Sequence, residues 1–344
     1  MTDPIWARPL CHQLERRRFM VAVAGGLLPA LFHPAWAQQP KRPWRIGIFN
    51  AGSPHPEVVK AQEQLRQELN GLGDVEGQNV VYEVRWADGQ AERLREIANE
   101  FARSNVDVVV ALGTAQAFAM RKVSSTIPIV VMAATLPVES GLVASLAHPG
   151  GNVTGTTMDA GSEEMAKRLQ LFQEVVPSGL PIAAIYSSSY PGVTVYVQQV
   201  QDAARQLKLR LEAVDVPNRD VDAISLIRSS KIGGLLVGLD PVVATQWKRI
   251  VEVAIQKRWP TMLAGVVARA FVRAGGLMCY SPNNQELWRR IAAQVHKILK
   301  GAKPGDLPME QPTQFDLVVD LKTAKAIGSA IPQSLLARAN EVIE

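Results

Sequence analysis

The residues best suited to holding a small polar molecule stand in five short segments, each directly after an apolar run. They read Asn50-Ala51-Gly52-Ser53, Gly113-Thr114-Ala115-Gln116, Ala134-Thr135-Leu136-Pro137, Ser187-Ser188-Ser189-Tyr190 and Gly238-Leu239-Asp240-Pro241. Glycine lets a ligand come close to the backbone. Hydroxyls, and free N–H groups at a helix start, can hold a carboxylate or another anion. Asp240 ends an apolar run, where it can pair with a ligand amine or cap the helix that follows. Tyr190 and Tyr280 are the candidate aromatic faces, with Tyr280 placed for partial core burial. The expected ligand contacts are Asn50, Ser53, Gly113, Thr114, Ala115, Thr135, Ser187, Ser188, Tyr190, Gly238 and Asp240. Gly, Ser, Thr and Pro also serve as ordinary punctuation between strand and helix. Five such loops at equivalent places are what favours a shared cleft.

Signatures of catalysis are missing. The sequence has no G-x-x-x-x-G-K-[ST] phosphate loop, no G-x-G-x-x-G after a strand and no G-x-S-x-G elbow. Beyond residue 37 the histidines are His55, His148 and His296, which are far apart and show no metal-ligand spacing. Of the two cysteines, Cys11 precedes the apolar stretch that follows Arg18, and Cys279 reads as a small hydrophobe in a strand. No enzyme activity, cofactor or metal is expected.

These loops need a scaffold that brings them together. Short apolar, β-rich runs alternate with longer stretches of helical period, the pattern of parallel sheets with helical crossovers. The first series places strands at 45–50, 80–86, 106–112, 127–133 and 152–157. Its helices fall at 57–72, 91–103, 114–124 and 137–146. The run Val106-Asp107-Val108-Val109-Val110-Ala111-Leu112 suits a strand buried on both faces. The order then restarts, with helices at 163–176, 194–207, 221–229 and 242–258 and strands at 182–186, 210–216, 234–239 and 261–265. A last section adds strands at 277–280 and 315–319 and a helix at 287–299. Open parallel sheets bind ligands beyond the carboxyl ends of their strands. The fold class is therefore α/β, with two parallel-sheet lobes whose strand-end loops favour a shared cleft. The expected division is 44–158 plus 275–312 for the first lobe and 159–274 plus 313–344 for the second. Crossings are expected near 156–163, near 268–276 and within or after 301–320.

Composition agrees with a two-lobed globular protein. The 344 residues are 47% hydrophobic and 20% charged, enough for two cores. The net charge of +5 is spread along the chain among interleaved acids, so nucleic acid is not an expected partner. Residues 1–37 have the three parts of an export signal: Arg16-Arg17-Arg18, a short apolar stretch to Phe32, and Ala35-Trp36-Ala37 before Gln38. The Arg16-Arg17 pair followed by one residue and then Phe19 and Met20 resembles the twin-arginine export motif, while three consecutive arginines also suit the n-region of a general secretory signal. Residues 38–43 form a Pro-containing linker. A periplasmic, monomeric protein is expected.

Several blocks resemble a known family. One runs Ile127-Pro128-Ile129-Val130-Val131, Pro137-Val138, Gly141 to Ala147 and Pro149-Gly150-Gly151-Asn152-Val153-Thr154-Gly155. The other holds Ala274-Gly275-Gly276-Leu277-Met278, Lys297 to Pro304, Asp306-Leu307-Pro308, Glu310-Gln311-Pro312-Thr313 and Leu321 to Ala326. Together they are similar to ABC transporter substrate-binding proteins of the tryptophan/tyrosine-binding-like type, over residues 44–344. The resemblance implies a type I periplasmic-binding fold, with two Rossmann-like parallel-sheet lobes joined by three crossings, a hinge and a central cleft, that closes by hinge motion around a small-molecule solute. It also implies an ABC permease of the inner membrane as partner. Some relatives bind aromatic amino acids. The family commonly has an acid before the Pro-Val pair, and this chain has Leu136 there, so that specificity is not carried over. A periplasmic sensory protein feeding a membrane receptor is the alternative that the same cleft would serve.

Overall fold

The computed structural model describes residues 42–344 except 55, 159–160, 190–192, 239–240, 264 and 266–267. The export-signal expectation for residues 1–37 lies outside the described residues, as do Tyr190 and Asp240. The first lobe is built from β1 (Trp44–Asn50), α1 (Pro56–Gly71), β2 (Val80–Trp86), α2 (Ala91–Ser104), β3 (Val108–Ala111), α3 (Thr114–Val123), β4 (Ile129–Ala134) and β5 (Val153–Thr157). These strands form a five-stranded sheet in the order β2-β1-β3-β4-β5, with every pair parallel. β3 and β4 are buried along their whole length, because helices cover both faces of the sheet. On one face Ile46, Ile48, Val108 and Val110 meet Leu65 and Leu69 of α1. On the other Phe49, Val109 and Ala111 meet Ile97 and Phe101 of α2 and Met120 of α3.

The second lobe continues with α4 (Ser162–Gln173), β6 (Ile182–Tyr186), α5 (Val193–Gln206), β7 (Leu211–Asp215), β8 (Gly234–Val237), α6 (Pro241–Ala244), α7 (Trp247–Lys257), β9 (Thr261–Leu263), α8 (Ala268–Arg273) and β10 (Met278–Pro282). The chain then forms α9 (Asn284–Leu299), β11 (Phe315–Asp320), α10 (Leu321–Ile327), α11 (Gln333–Leu336) and β12 (Glu341–Ile343). The second sheet has seven strands in the order β12-β11-β10-β9-β8-β6-β7, with only β10 and β11 antiparallel to each other.

Among the described residues the chain passes between the lobes three times. It leaves the first sheet after β5, as expected near 156–163. The crossing expected near 268–276 falls later, because β10 pairs with β9 and β11 inside the second sheet. The chain returns only at Asn283. Residues 275–282 thus belong with the second sheet, which corrects the boundary read from the sequence. α9 then packs on the first sheet through Leu287, Trp288, Ile291 and Val295. The last crossing precedes β11.

Three expected helices differ. Residues 137–146 form successive turns, closed by Ser140 N–H to Leu136 O (2.9 Å), Gly141 N–H to Val138 O (2.9 Å) and Leu142 N–H to Pro137 O (2.8 Å). Gly141 has φ +72°, which a continuing right-handed helix does not allow. The stretch 221–229 contains only a 3₁₀ turn over Ala223–Leu226, started by the Asp222 side chain accepting from Ile224 N–H. The stretch 242–258 is split into α6 and α7.

Candidate functional site

The carboxyl ends of β1, β3 and β4 lie side by side, so their loops form one group on the first lobe. Asn50 is buried, and both ends of its amide are occupied. Its Oδ1 accepts from Gln62 Nε2 (2.7 Å), and its Nδ2 donates to the Arg85 carbonyl (3.3 Å). Asn50 therefore fixes the shape of the β1 loop, from which Ser53 stands exposed. Gly113 has φ +135°, a conformation open to glycine and strained for other residues. It starts α3, and no side chain caps that helix. Helix-start N–H groups point away from the helix body, here beyond the strand ends, where Thr114 and Ala115 stand. The buried Thr114 hydroxyl accepts the N–H of Thr135 (3.0 Å) and ties the β3 loop to the β4 loop.

The end of β4 is distorted. Its register against β5 shifts between Val131 and Ala134, and Ala133 and Leu136 have φ +56° and +42°. Non-glycine residues in this region carry strain, which is concentrated at binding loops. The bulge is held by Thr156 Oγ1, which accepts Ala133 N–H (3.0 Å), and by Met158 N–H to Ala134 O (2.8 Å). It turns Thr135 out at the strand end and buries Leu136.

The second lobe supplies the ends of the neighbouring strands β6 and β8. Ser187 is buried and shares a 2.7 Å hydrogen bond with the Ser189 hydroxyl. Ser188 is exposed, and its N–H donates to Asp215 Oδ1 at the end of β7 (2.8 Å). Gly238 is buried and donates to Ile185 O (2.7 Å). Tyr186 is half-buried at the end of β6. Its hydroxyl is pushed up from its ordinary value by burial and by the Asp215 charge.

The described candidates thus stand at the strand ends of one sheet or the other, Asn50, Ser53, Gly113, Thr114, Ala115 and Thr135 on the first lobe and Ser187, Ser188 and Gly238 on the second. The sequence reading missed Asp215, which fixes the Ser188 backbone, and Glu286, which joins two crossings. Glu286 lies in the first turn of α9. It accepts from Arg290, from the Thr313 hydroxyl and from Gln314 N–H (3.0 Å). Burial would raise its carboxyl, but the hydrogen bonds from Thr313 and Arg290 outweigh that and hold it below its ordinary value. Beside the crossings, Glu164 and Arg168 of α4 form a buried ion pair, and burial pushes the Glu164 carboxyl up. Tyr280 packs on the core and stacks on Phe315, with ring centroids 5.3 Å apart.

These loops offer hydroxyls, backbone N–H groups and a helix start. Cys279 is fully buried, and burial pushes its thiol up to about 12. His148 is exposed, whereas His296 Nδ1 is 2.7 Å from Asp74 Oδ2. Among the described residues no group of three or more His, Cys, Asp or Glu could hold a metal ion. A cavity of about 280 Å³ lined by Arg121, Leu142 and Asn152 lies at the amino end of β5, opposite the strand-end loops.

Two parallel-sheet lobes with donor-rich strand ends and three crossings define a two-lobed solute-binding protein of the type I periplasmic-binding fold. The sequence profile of the ABC transporter substrate binding proteins matches residues 51–343, and the chain belongs to that family of non-enzymatic binding components. Its members work outside the cytoplasm. The chain is 26% identical over 289 residues to a tyrosine-binding protein of Clostridioides difficile (strain R20291), covering 83% of this chain and 81% of that one. It is 25% identical to an ABC domain from Streptococcus pneumonia solved in complex with L-Trp, with a TM-score of 0.79 over 88% of this chain and all of that one. A ligand-free, open substrate-binding protein with adhesive properties from Clostridium difficile shares the fold, with 24% identity and a TM-score of 0.64 over 87% of this chain and 99% of that one.

Proposed function

We propose that this protein captures a free aromatic amino acid, tyrosine or tryptophan, between its lobes and delivers it to an ABC permease. The observation that carries this reading is the paired set of polar strand-end loops, one on each lobe. The uncapped start of α3 suits the ligand carboxylate, since a helix N-terminus favours an anion. The hydroxyls of Ser53, Thr135 and Ser188 and the carboxylate of Asp240 are the remaining polar contacts of the reading, with Asp240 for the ligand amine. Tyr190 supplies an aromatic face. The tyrosine- and tryptophan-linked relatives support the choice of ligand. Closure buries the ligand, and the ligand shifts the open–closed balance only by its greater affinity for the closed form.

We further propose that residues 1–37 direct export to the periplasm, by the twin-arginine route, and that the mature protein is a monomer. The lobes on this reading are 44–157 with 284–310, and 162–282 with 315–344.

A thermal-shift series tests the ligand. L-Tryptophan or L-tyrosine at a hundred times its Kd stabilises the native state by about 2.7 kcal/mol, a shift of several degrees. Other amino acids, a sugar and a nucleoside serve as controls. A shift with the sugar or the nucleoside and none with either aromatic amino acid overturns the reading.

A further inference from the structure

Gly89 and Arg219 belong to different lobes, yet Arg219 Nη2 donates to the Gly89 carbonyl at 3.0 Å. Sheet order fixes where this contact lies. Gly89 follows β2, the edge strand of the first sheet, and Arg219 follows β7, the edge strand of the second. The crossings lie at the other side, at β5, β10 and β11. The bond therefore spans the gap at the edge farthest from the hinge, which is the mouth of the cleft.

Both partners are held by turns, and that of Gly89 is anchored to a candidate ligand loop. Ala87 to Gln90 closes with Gln90 N–H on Ala87 O (2.8 Å), and Asp88 and Gly89 have φ +51° and +72°. Two successive left-handed residues of the type Asp-Gly make a type I′ turn. Asp88 and Gly89 N–H donate to the carbonyls of Gly52 (3.2 Å) and Ala51 (2.7 Å) in the β1 loop. Displacing that loop displaces the acceptor. Opposite, Asp220 N–H donates to Asn218 Oδ1 (3.0 Å), which shapes the turn carrying Arg219. The same segment follows Asp215, which holds Ser188 N–H.

We infer that Arg219 is a latch that holds the mouth of the cleft closed through the Gly89 carbonyl. Both residues are exposed. A single exposed bond of this kind is worth little, as a latch that must release on each cycle requires. The inference rests on the two-lobed hinge reading and is independent of which solute binds.

The test is a distance measurement with no ligand added. Spin labels are placed on Glu96→Cys in α2 and Gln206→Cys in α5, both exposed, in a Cys11→Ser background, with Cys279 buried and unlabelled. The protein with Arg219 intact shows a short-distance population. R219A lowers the ratio of short to long distances by about three- to tenfold, the range for one net hydrogen bond. R210A, which removes an exposed bond to Gly179 O inside the second lobe, leaves the distribution unchanged. An R219A distribution that matches the intact protein, or an equal change in R210A, overturns the latch. Neither outcome depends on tryptophan or tyrosine binding, so failure of the ligand reading is seen separately in the thermal-shift series.

Discussion

The site is shaped by single residues whose backbone other side chains cannot adopt. Gly155 in β5 has φ +140°, and a Cβ there would lie 2.0 Å from the Val131 carbonyl oxygen in β4. The close approach sits beside the β4 bulge that presents Thr135. Gly155→Ala must push β4 away or break the pairing, at a cost of about 3 kcal/mol. A urea titration followed by circular dichroism reads this as a lowered midpoint, and an unchanged midpoint would refute the account of the bulge. At this scale the sequence was partly legible. Gly113 and Thr114 announced a strand-to-helix turn by type alone. The Thr114 hydroxyl on Thr135 N–H joins residues 21 apart, a pairing that needs β3 beside β4. Arg219 carried no signal, since an arginine in a polar loop looks like any solvated charge. The Asp88-Gly89 pair that presents its acceptor did carry one, as a turn dipeptide.

Among the elements, α9 links the lobes most directly. Asn283 caps it by accepting Glu286 N–H (2.9 Å) and donates to Asp316 Oδ2 at the start of β11 (2.9 Å). Glu286 in its first turn holds Thr313 and Gln314, so one helix start clasps two crossings. The Glu286 carboxyl has its folded pKa depressed below the ordinary 4.5. A depressed carboxyl stabilises the fold fully above the unfolded value, and that contribution is lost as the pH falls from about 4.5 through the folded value. E286Q keeps the shape but not the charge. It is expected to cost about 2 kcal/mol at pH 7, the scale of hydrogen bonds to a charged group. It should also flatten the loss of stability below pH 4.5. Melting curves between pH 3 and 7 check both, and parallel curves for the two proteins would contradict the clasp. The sequence showed α9 as a strongly periodic helix. It misplaced the preceding crossing, because the apolar run of β10 reads the same in either sheet. Its pairings with β9 and with β11, the latter some 40 positions on, assign it. Residues 137–146 misled for a related reason. Val138, Leu142 and Leu146 have helical spacing, but the positive φ of Leu136 and Gly141 turns the chain instead.

For the whole molecule, interleaving ties the stability of the lobes together. Ile46, Ile48, Val108 and Val110 of the first sheet share one core with Leu65 and Leu69 of α1 and with Leu287, Trp288, Ile291 and Val295 of α9, so that core is complete only with α9 in place. That helix is reached only after the second sheet has been entered and left. β11 and β12 complete the second sheet only after the chain has crossed back. Each lobe thus depends on a segment whose ends are fixed by the other, and the second and third crossings are joined by the Glu286 and Asn283 bonds. Opening such an assembly one lobe at a time would expose α9's apolar face while the other sheet stayed folded. Burying large apolar side chains is worth about 1.5–3 kcal/mol each, so the four from α9 alone oppose a half-unfolded state strongly. A single cooperative transition is therefore expected in scanning calorimetry, with van't Hoff and calorimetric enthalpies in agreement. Two resolved transitions would mean that the lobes fold independently. The crossings would then be flexible tethers, and a latch at the mouth would have no rigid hinge to work against.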